Sequence, residues 1–461
     1  MPASDQHPEY RKYSPRWAMV RDCVSGSDEV KSKGTDYLPQ PNPIDRSEEN
    51  KARYRDYVQR ASFINFTGST LDGLLGMVFR RAPVFDIAPP LQYLEYNATG
   101  SGITLAQTTR SAISQVLQCG RLGLLVDYPQ APDNLSAAEV SSLDLAAHIL
   151  PYKAETVVNW QTTVIAGRRV LSMVVLREDF NIASDDGFSY EVKPYHRVLK
   201  LEDGFYVQCL YNNENEIVER SEPRMSNGAR WAEIPFIFVG AANNDELIDK
   251  APLYDIASTN ISHYRNSADF EESSFIVGQP TPVFAGLTQS WVDDVLKGGV
   301  LLGSRTAVLL PESASASLLQ ADPNSMPQSG MKEKELQMVK IGARIIESAS
   351  GNETAEAARM RYAGQTSKLA IVVANVEEAL ELCMEWCAMF MGSIGENEIT
   401  INREYYDKRV DPQVIMAELA LYDRGLIAST DLRANLRASG RLAEDRTDED
   451  IDAEAEITEI L

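Results

Sequence analysis

The segment GGVLLGSRT is the part of the sequence that comes nearest to a nucleotide-binding loop. Gly298 and Gly303 have the glycine separation of a phosphate-binding P-loop. Such a loop also needs a lysine that reaches the β- and γ-phosphates and a serine or threonine for Mg²⁺. Here Ser304 and Arg305 follow the second glycine, and the next residues, TAVLL, predict a strand where a P-loop requires a helix. We therefore expect these glycines to form turns in a small β-rich piece.

Histidine and cysteine spacing gives no sign of a catalytic or metal site. The four histidines are far apart, and no HExxH, GxSxG, GxGxxG or EF-hand pattern occurs. The five cysteines include no CxxC pair, which argues against a zinc site and against a disulfide framework. Cys383 and Cys387, four residues apart, are expected to be neighbours in a helix core. We expect no enzymatic activity, no cofactor and no metal.

Basic residues are concentrated in two neighbouring segments of an acidic chain. The 461 residues carry 44 basic and 67 acidic side chains, a net charge of −23, so the whole surface cannot bind nucleic acid tightly. Four basic residues nevertheless face two glutamates within 331–344, and SASGNETAEAARMRYAG (348–364) adds two arginines. The alternative to a binding role is a solvated helix face with internal ion pairs.

Helical periodicity surrounds these basic segments. Apolar residues recur with a helical period in 252–277, 331–349 and 366–391, which predicts three helices. Between the first two, residues 281–325 predict short strands, turns and a small helix around Trp291–Leu296. The glycine-broken stretch 350–365 separates the second helix from the third, which has the clearest amphipathic pattern.

The remainder of the sequence alternates between segments with helical periodicity and β-rich segments. Residues 1–46 are polar and are broken by Pro39, Pro41 and Pro43, which predicts an extended arm with at most one short helix. A helical segment is predicted from Ser47 to about residue 81, within which Gly68, Gly73 and Gly76 indicate close packing or a break. Another helix is predicted over Thr104–Gln118, followed by a buried strand in GLLVDYP. Residues 148–240 predict a mostly antiparallel sheet, because β-rich runs alternate with Gly, Asn and Asp turns. The predicted fold class is α+β.

The order of these elements resembles that of the portal, or head-to-tail connector, proteins of tailed bacteriophages. The stretches that carry the resemblance are YRDYVQRASFINFTGSTLDGLLGMVFRRAP, GRLGLLVDYP, PLYDIASTNISHYRNSADFEESSFIVGQPTPVFAG, SASGNETAEAARMR and GLIASTDLRANLRASG. They appear in the expected order and span roughly residues 45–440. The resemblance implies a portal-like fold with a mainly helical wing and stem, an antiparallel β wing subdomain and a small α/β clip, assembled as a ring.

The resemblance also implies a division of the chain. The expected parts are an N-terminal arm (1–46), a wing (47–250, β-rich at 148–240), a stem helix (251–280), a clip (281–330), a second stem helix (331–349), a tunnel loop (350–365), a long wing helix with C-terminal helices (366–440) and an acidic tail (441–461).

The function that the resemblance implies is a channel at one capsid vertex of the virion. Double-stranded DNA would pass through it without lasting contact, packaged by a terminase and later ejected, and the ring could nucleate procapsid assembly. The implied partners are other copies of the chain, as a dodecamer, the terminase large subunit, major capsid and scaffolding proteins and a head–tail adaptor. No membrane partner is expected, and synthesis would take place in the host bacterial cytoplasm.

Two sets of residues are candidates for the channel wall under this resemblance. The tunnel-loop candidates are Asn352, Glu353, Thr354, Arg359 and Arg361. The stem candidates are Lys332, Lys334, Lys340 and Arg344.

Other interpretations remain open at this point. The chain could be another virion structural protein, a head–tail adaptor or a minor head protein. It could also be an enzyme acting on nucleic acid or a small molecule, although no nucleotide or metal motif supports that. In a ring, the acidic face Glu377–Glu385 and the basic face Arg53–Arg60 are candidates for contacts between subunits.

Overall fold

The computed structural model describes residues 2–129, 145–183, 187–278, 281–295, 310–319, 325–346, 367–403 and 405. Near the C-terminus it describes 419–422, 424–438, 442, 446–448 and 451–452. The chain divides into two units, Met1–Ile401 and Asn402–Leu461.

Helices and antiparallel strands both contribute to the described residues, so the fold class is α+β as predicted. The helices are α1 (Pro8–Ser25), α2 (Ser27–Ser32), α3 (Glu48–Arg60), α4 (Phe66–Val78), α5 (Leu105–Cys119), α6 (Tyr254–Gly278), α7 (Gln289–Val295), α8 (Met326–Ile346), α9 (Lys368–Met391) and α10 (Ser429–Ala438). The strands are β1 (Val84–Asp86), β2 (Arg121–Asp127), β3 (His148–Lys153), β4 (Val157–Ile165), β5 (Arg168–Ala183), β6 (Tyr190–Glu202), β7 (Phe205–Tyr211), β8 (Ile217–Ser221), β9 (Phe236–Gly240), β10 (Thr281–Ala285), β11 (Ser315–Leu319) and β12 (Glu398–Thr400).

The N-terminal segment is a helical part of the core, and the prediction of an extended arm with one short helix was wrong. α1 begins at His7, whose Nδ1 accepts a hydrogen bond from the Glu9 amide at 3.2 Å. Trp17, Val20 and Cys23 lie three residues apart and are buried. Because the other face of α1 is polar, the overall composition of the segment does not show this buried stripe. The prolines that suggested an arm, Pro39, Pro41 and Pro43, come only after α2.

The helical segment predicted from Ser47 to about residue 81 is two helices. α3 is capped by Ser47, and α4 by Asn65, whose Oδ1 accepts from the Gly68 amide at 2.7 Å. The break lies at 61–65, where Ala61 turns the backbone to an extended conformation (ψ 137°). A Cβ at Gly68 would lie 2.7 Å from the Asn65 side chain, so this glycine permits the cap.

α5 leads directly into the centre of a three-stranded antiparallel sheet, as the sequence predicted. Thr104 and Gln107 form a reciprocal capping box at its start. Gly120 ends the helix in the left-handed conformation (φ 69°), and a Cβ there would lie 2.5 Å from the Asp249 carbonyl oxygen. β2 follows at once and pairs with β3 on one side and β9 on the other.

The second sheet has five antiparallel strands in the order β4-β5-β6-β7-β8. Each strand therefore pairs with its neighbour in the chain, which is the topology of successive hairpins. The two sheets confirm the antiparallel β-rich region predicted over 148–240.

α9 is the central helix of the first unit. It packs against α5, β2, β3 and β9, and both Cys383 and Cys387 are buried in it, as predicted. Asn375 Nδ2 donates to the Gly240 carbonyl oxygen at 3.0 Å, which fastens α9 to β9. Just beyond α9, β12 pairs with β1.

The second unit is described in part. In α10, Arg433 forms an ion pair with Asp452, and Arg437 with Asp448. Residues 406–418 of the segment predicted to hold C-terminal helices, and most of the acidic tail, lie outside the described residues. Across the described parts of the chain, none of the helices is both long and apolar enough to cross a membrane.

Candidate functional site

α6 and α8 form an antiparallel pair. Lys334 Nζ on α8 donates to the Ser262 carbonyl oxygen on α6 at 3.0 Å. Four residues earlier on α8, a Cβ at Gly330 would lie 2.5 Å from Asn266 Nδ2 on α6. Higher residue numbers on α6 therefore lie beside lower residue numbers on α8, so the two helices run antiparallel. Gly330 lets the two helices approach closely, since any side chain there would displace Asn266.

A buried histidine joins the middle of this pair. His263 of α6 is fully buried, and its Nε2 lies 3.2 Å from Glu335 Oε1 on α8. The edge of its ring meets Phe66 of α4 at a centroid distance of 5.9 Å. His263 therefore contacts α4 and α8 at once, which fixes α8 relative to the core.

Polar side chains fasten α6 to the α3–α4 connection. The amide and hydroxyl of Thr67 both donate to Asn260 Oδ1, at 3.2 and 3.0 Å, and Asn260 Nδ2 donates to the Ile64 carbonyl oxygen at 2.9 Å. Two turns further along, Ser267 Oγ donates to the Ser62 carbonyl oxygen at 2.6 Å and accepts from the Ser62 amide at 2.7 Å. Asn260 and Ser267 are both buried.

The same face of α6 continues with charged partners. Tyr57 of α3 donates its hydroxyl hydrogen to Asp269 at 2.6 Å, and burial together with this carboxylate raises the pKa of Tyr57. Glu272 accepts from Arg53 at 3.2 Å and from Arg60 at 2.5 Å. These contacts hold about three turns of α6, from Asn260 to Glu272, against α3 and its connection to α4.

Outside these contacts, α6, β11 and α8 expose apolar side chains. No residue of α6 after Ala268 is buried. β10 and β11 pair with each other as a two-stranded ribbon. The exposed apolar side chains of α6, β11 and α8 are Phe275, Ile276, Leu318, Met326, Leu336 and Val339.

The stem candidates do not share one face of α8. Lys332 and Lys340 are exposed, whereas Lys334 lies half-buried against α6, and burial first, then Arg265, lowers its pKa. Since successive residues of a helix are about 100° apart, Lys334 points about 200° from Lys332. For Arg344 the structure describes only its place in the helix. The five tunnel-loop candidates lie outside the described residues.

The two faces expected to join subunits have partners within the chain. Arg53 and Arg60 bind Glu272, as described above. On α9, Glu377 is buried and Glu381 accepts from the Ile399 amide at 3.0 Å. These side chains stabilise the monomer, which sequence reasoning did not anticipate.

Sequence reasoning also missed Asn260 and Ser267 as fastening residues. They are seven residues apart, on the same helix face as the buried Ile256, Ile261 and Tyr264. A polar residue repeated at this spacing within an apolar stripe was the available signal. Their partners, at 62–67, lie about 200 residues earlier in the chain, so pairing could not be deduced.

Metal and thiol chemistry have no visible site in the part of the chain that is described. Within it, no group of three or more His, Cys, Asp or Glu side chains is arranged to hold a metal ion. All five cysteines are buried. Burial, followed by the charge of Asp22, raises the pKa of Cys23 to about 12, which suppresses its thiolate.

Residues 252–391, from just before α6 to the end of α9, match a family model described as "Domain of unknown function (DUF4055)". The helix pair lies within this match. None of the curated proteins compared with the chain matches it.

Solved structures of a gene transfer agent (GTA) particle contain chains similar to this one. One is titled "Virion of native gene transfer agent (GTA) particle", with 12% identity, a TM-score of 0.42, and coverage of 88% of this chain and 98% of that chain. "Neck of empty GTA particle computed with C6 symmetry" has 12% identity, a TM-score of 0.43, and coverage of 80% and 89%. "Neck of native GTA particle computed with C12 symmetry" has 13% identity, a TM-score of 0.40, and coverage of 83% and 93%.

Proposed function

We propose that the chain is a portal-type head-to-tail connector, a virion structural protein whose copies form a ring through which double-stranded DNA is packaged and later ejected. The observation that carries the proposal is the antiparallel pair α6 and α8. Along the chain, β10, α7 and β11 lie between these two helices, and the core helix α9 follows α8. The sequence resembles portal proteins in this same order of stem helix, clip, second stem helix and wing helix.

Exposed apolar side chains on the helix pair support assembly into a ring. Phe275 and Ile276 are adjacent near the end of α6 and are 44% and 46% exposed. Exposed apolar clusters of this kind mark surfaces that another protein covers. In a ring, the neighbouring copy covers them through a heterologous interface, repeated around the axis.

The exposed lysines of α8 suit a channel wall. Lys332 and Lys340 are eight residues apart, which places them about 12 Å apart along the helix. In a ring they become two separate circles of positive charge in a protein whose chains each carry −23. Sparse cations on an acidic wall contact phosphates weakly, so DNA can slide. We also assign Asn352, Glu353, Thr354, Arg359 and Arg361 to the channel wall, where the two arginines add cations.

The proposal places partners around the ring and no chemical step in the chain itself. A terminase supplies ATP hydrolysis and docks on the β10–β11 end, where adaptor proteins replace it later. Capsid and scaffolding proteins surround the ring at a single vertex of the capsid. ATPase or nuclease activity of the isolated chain, abolished by one carboxylate substitution, would contradict this assignment.

Assembly is tested on the purified full-length chain. Native mass spectrometry and negative-stain images over a wide concentration range are expected to show a many-subunit ring with a central hole. The Phe275→Asp, Ile276→Asp double variant is expected to lose the ring and keep the monomer fold, because it changes only exposed side chains. A wild-type chain that stays monomeric at every concentration would refute the proposal.

Channel charge is tested on the assembled ring. Lys332→Glu, Lys340→Glu should weaken double-stranded DNA binding at low salt and flatten its salt dependence, while the ring mass is unchanged. Lys12→Glu is the matched control, since Lys12 is also exposed but belongs to α1, where it pairs with Glu9. Equal DNA binding by the α8 variant and the control would remove these lysines from the channel.

A further inference from the structure

β5 and β6 extend well past their neighbours in the five-stranded sheet. Val157 of β4 pairs with Leu176 of β5, and Tyr211 of β7 pairs with His196 of β6. The pairing of β5 with β6 continues from Glu178↔Tyr195 to Ala183↔Tyr190. These six pairs form a two-stranded ribbon of about 20 Å. We call residues 178–183 and 190–195 the arm.

The arm has neither a third strand nor a buried face among the described residues. Both of its long edges lack a paired strand there. Opposite residues of an antiparallel pair lie on the same face, so Phe180 and Ile182 lie on one face, and Tyr190 and Val192 on the other. All four are exposed, Tyr190 by 68% and Val192 by 52%.

Such a ribbon gains stability from a partner. An isolated two-stranded hairpin is marginal in water, because it buries too little apolar surface to offset the entropy of ordering it. Long open edges with apolar side chains also invite pairing with another chain. The arm therefore has the properties of an interaction surface.

The opposite end of the same strands has a complementary surface. At the turn between β4 and β5, Val164 and Ile165 are exposed, Val164 by 68%. Arg168 and Arg169 follow them, and Arg169 also contacts Glu246. We call residues 164–169 the β4–β5 end. The arm carries Glu178, Asp179 and Glu191 against Lys193, a net charge of −2, so the two ends of the sheet carry opposite charge. Within the chain these carboxylates pair with Arg197, Arg177 and Lys193, respectively.

We propose that the arm of one copy docks on the β4–β5 end of the next copy. This inference rests on the proposed function, in which copies of the chain form a ring. Because arm and β4–β5 end are different surfaces at opposite ends of one sheet, their contact is heterologous and repeats from copy to copy, as ring closure requires. Apolar contact covers Val164 and Val192, and Arg168 meets the carboxylates of the arm.

Cross-linking between two variants tests the contact directly. Full-length Val164→Cys and full-length Val192→Cys are mixed and treated with a short bismaleimide, to which the native cysteines are inert because all five are buried. The mixture should give a covalent dimer, and each variant alone should give none. Val84→Cys, 64% exposed on β1, replaces Val164→Cys as the matched control and should give none with Val192→Cys.

A charge exchange supplies a second measurement. Arg168→Glu should reduce the ring fraction seen by native mass spectrometry several-fold, and adding Glu191→Lys to the same chain should restore it. If rings form but neither the cross-link nor the exchange behaves in this way, the arm contact is wrong and the ring proposal stands. If the chain gives neither rings nor the cross-link, both proposals are overturned.

Discussion

Asn260→Ala is expected to loosen the start of α4 without unfolding the chain. The substitution removes three buried hydrogen bonds, two from Thr67 and one to the Ile64 carbonyl oxygen. The Thr67 hydroxyl can rotate to another acceptor, and the Ile64 carbonyl oxygen still accepts from the Phe66 amide at 2.9 Å, so the Thr67 amide is the group left unpaired. At roughly 1–3 kcal/mol for an orphaned buried group, the local cost is about 2 kcal/mol.

Hydrogen exchange measured by mass spectrometry on peptides covering 62–70 gives the readout. A loss of about 2 kcal/mol corresponds to roughly thirtyfold faster local exchange. Asn260→Leu keeps the branched shape of the side chain without its hydrogen bonds and should exchange as fast as Asn260→Ala, whereas Ser258→Ala, an exposed change on the same helix, should match the wild type. Protection restored by Asn260→Leu would show that packing, and not hydrogen bonding, fastens α6, and the reasoning would be refuted.

Further predictions concern His7, Gly120 and Arg121. Burial first, and then Arg121, lowers the pKa of His7, so the unfolded chain takes up its proton first, and thermal stability should fall as pH drops below about 6.5. Neutral His7 caps α1 through Nδ1, and His7→Asn should cap it without this pH dependence. Gly120→Ala should lower the melting temperature well beyond Gly102→Ala: both glycines have positive φ, but only at Gly120 would a Cβ collide with backbone. Arg121→Met should be milder than Arg121→Ala, because methionine keeps the space between two aromatic rings filled and removes a buried charge.

Each of these comparisons has an outcome that contradicts it. An unchanged pH profile in His7→Asn would mean that other groups set the acid limit. Equal melting temperatures for the two glycine variants would show that the Asp249 backbone moves aside. Arg121→Met as unstable as Arg121→Ala would show that the hydrogen bond to the Glu246 carbonyl oxygen, at 2.9 Å, outweighs packing.

Local signals in the sequence predicted local structure well. The helix predicted over Thr104–Gln118 matches α5 to within one residue at each end, because the residues that delimit it, Thr104 and Gly120, adjoin it in the chain. α8 begins at Met326, five residues before the predicted start at 331, with Pro327 in its first turn. The periodicity of α9 was sufficient to place its buried face.

Features that depend on distant partners could not be predicted in the same way. The turn between β5 and β6 was visible, but the arm exists only because β4 and β7 end early. Asn260 acquires its role from Ile64 and Thr67, which nothing local connects to it. The helical repeat alone could have separated Lys334 from Lys332, and this was the avoidable omission at the candidate site.

The position of α9 in the chain sets the timing of folding during synthesis. α5, β2 and β9 are complete when residue 240 has been made, but the helix that covers them ends at Met391. At roughly 5–20 residues per second, the ribosome adds these 151 residues in about 10–30 s. During that interval the apolar face under α9 is open to chaperones and to proteases. A chain that ends before Met391 keeps that face uncovered and accessible to proteases. We therefore expect truncated chains to be degraded and not to enter the assembly as defective subunits.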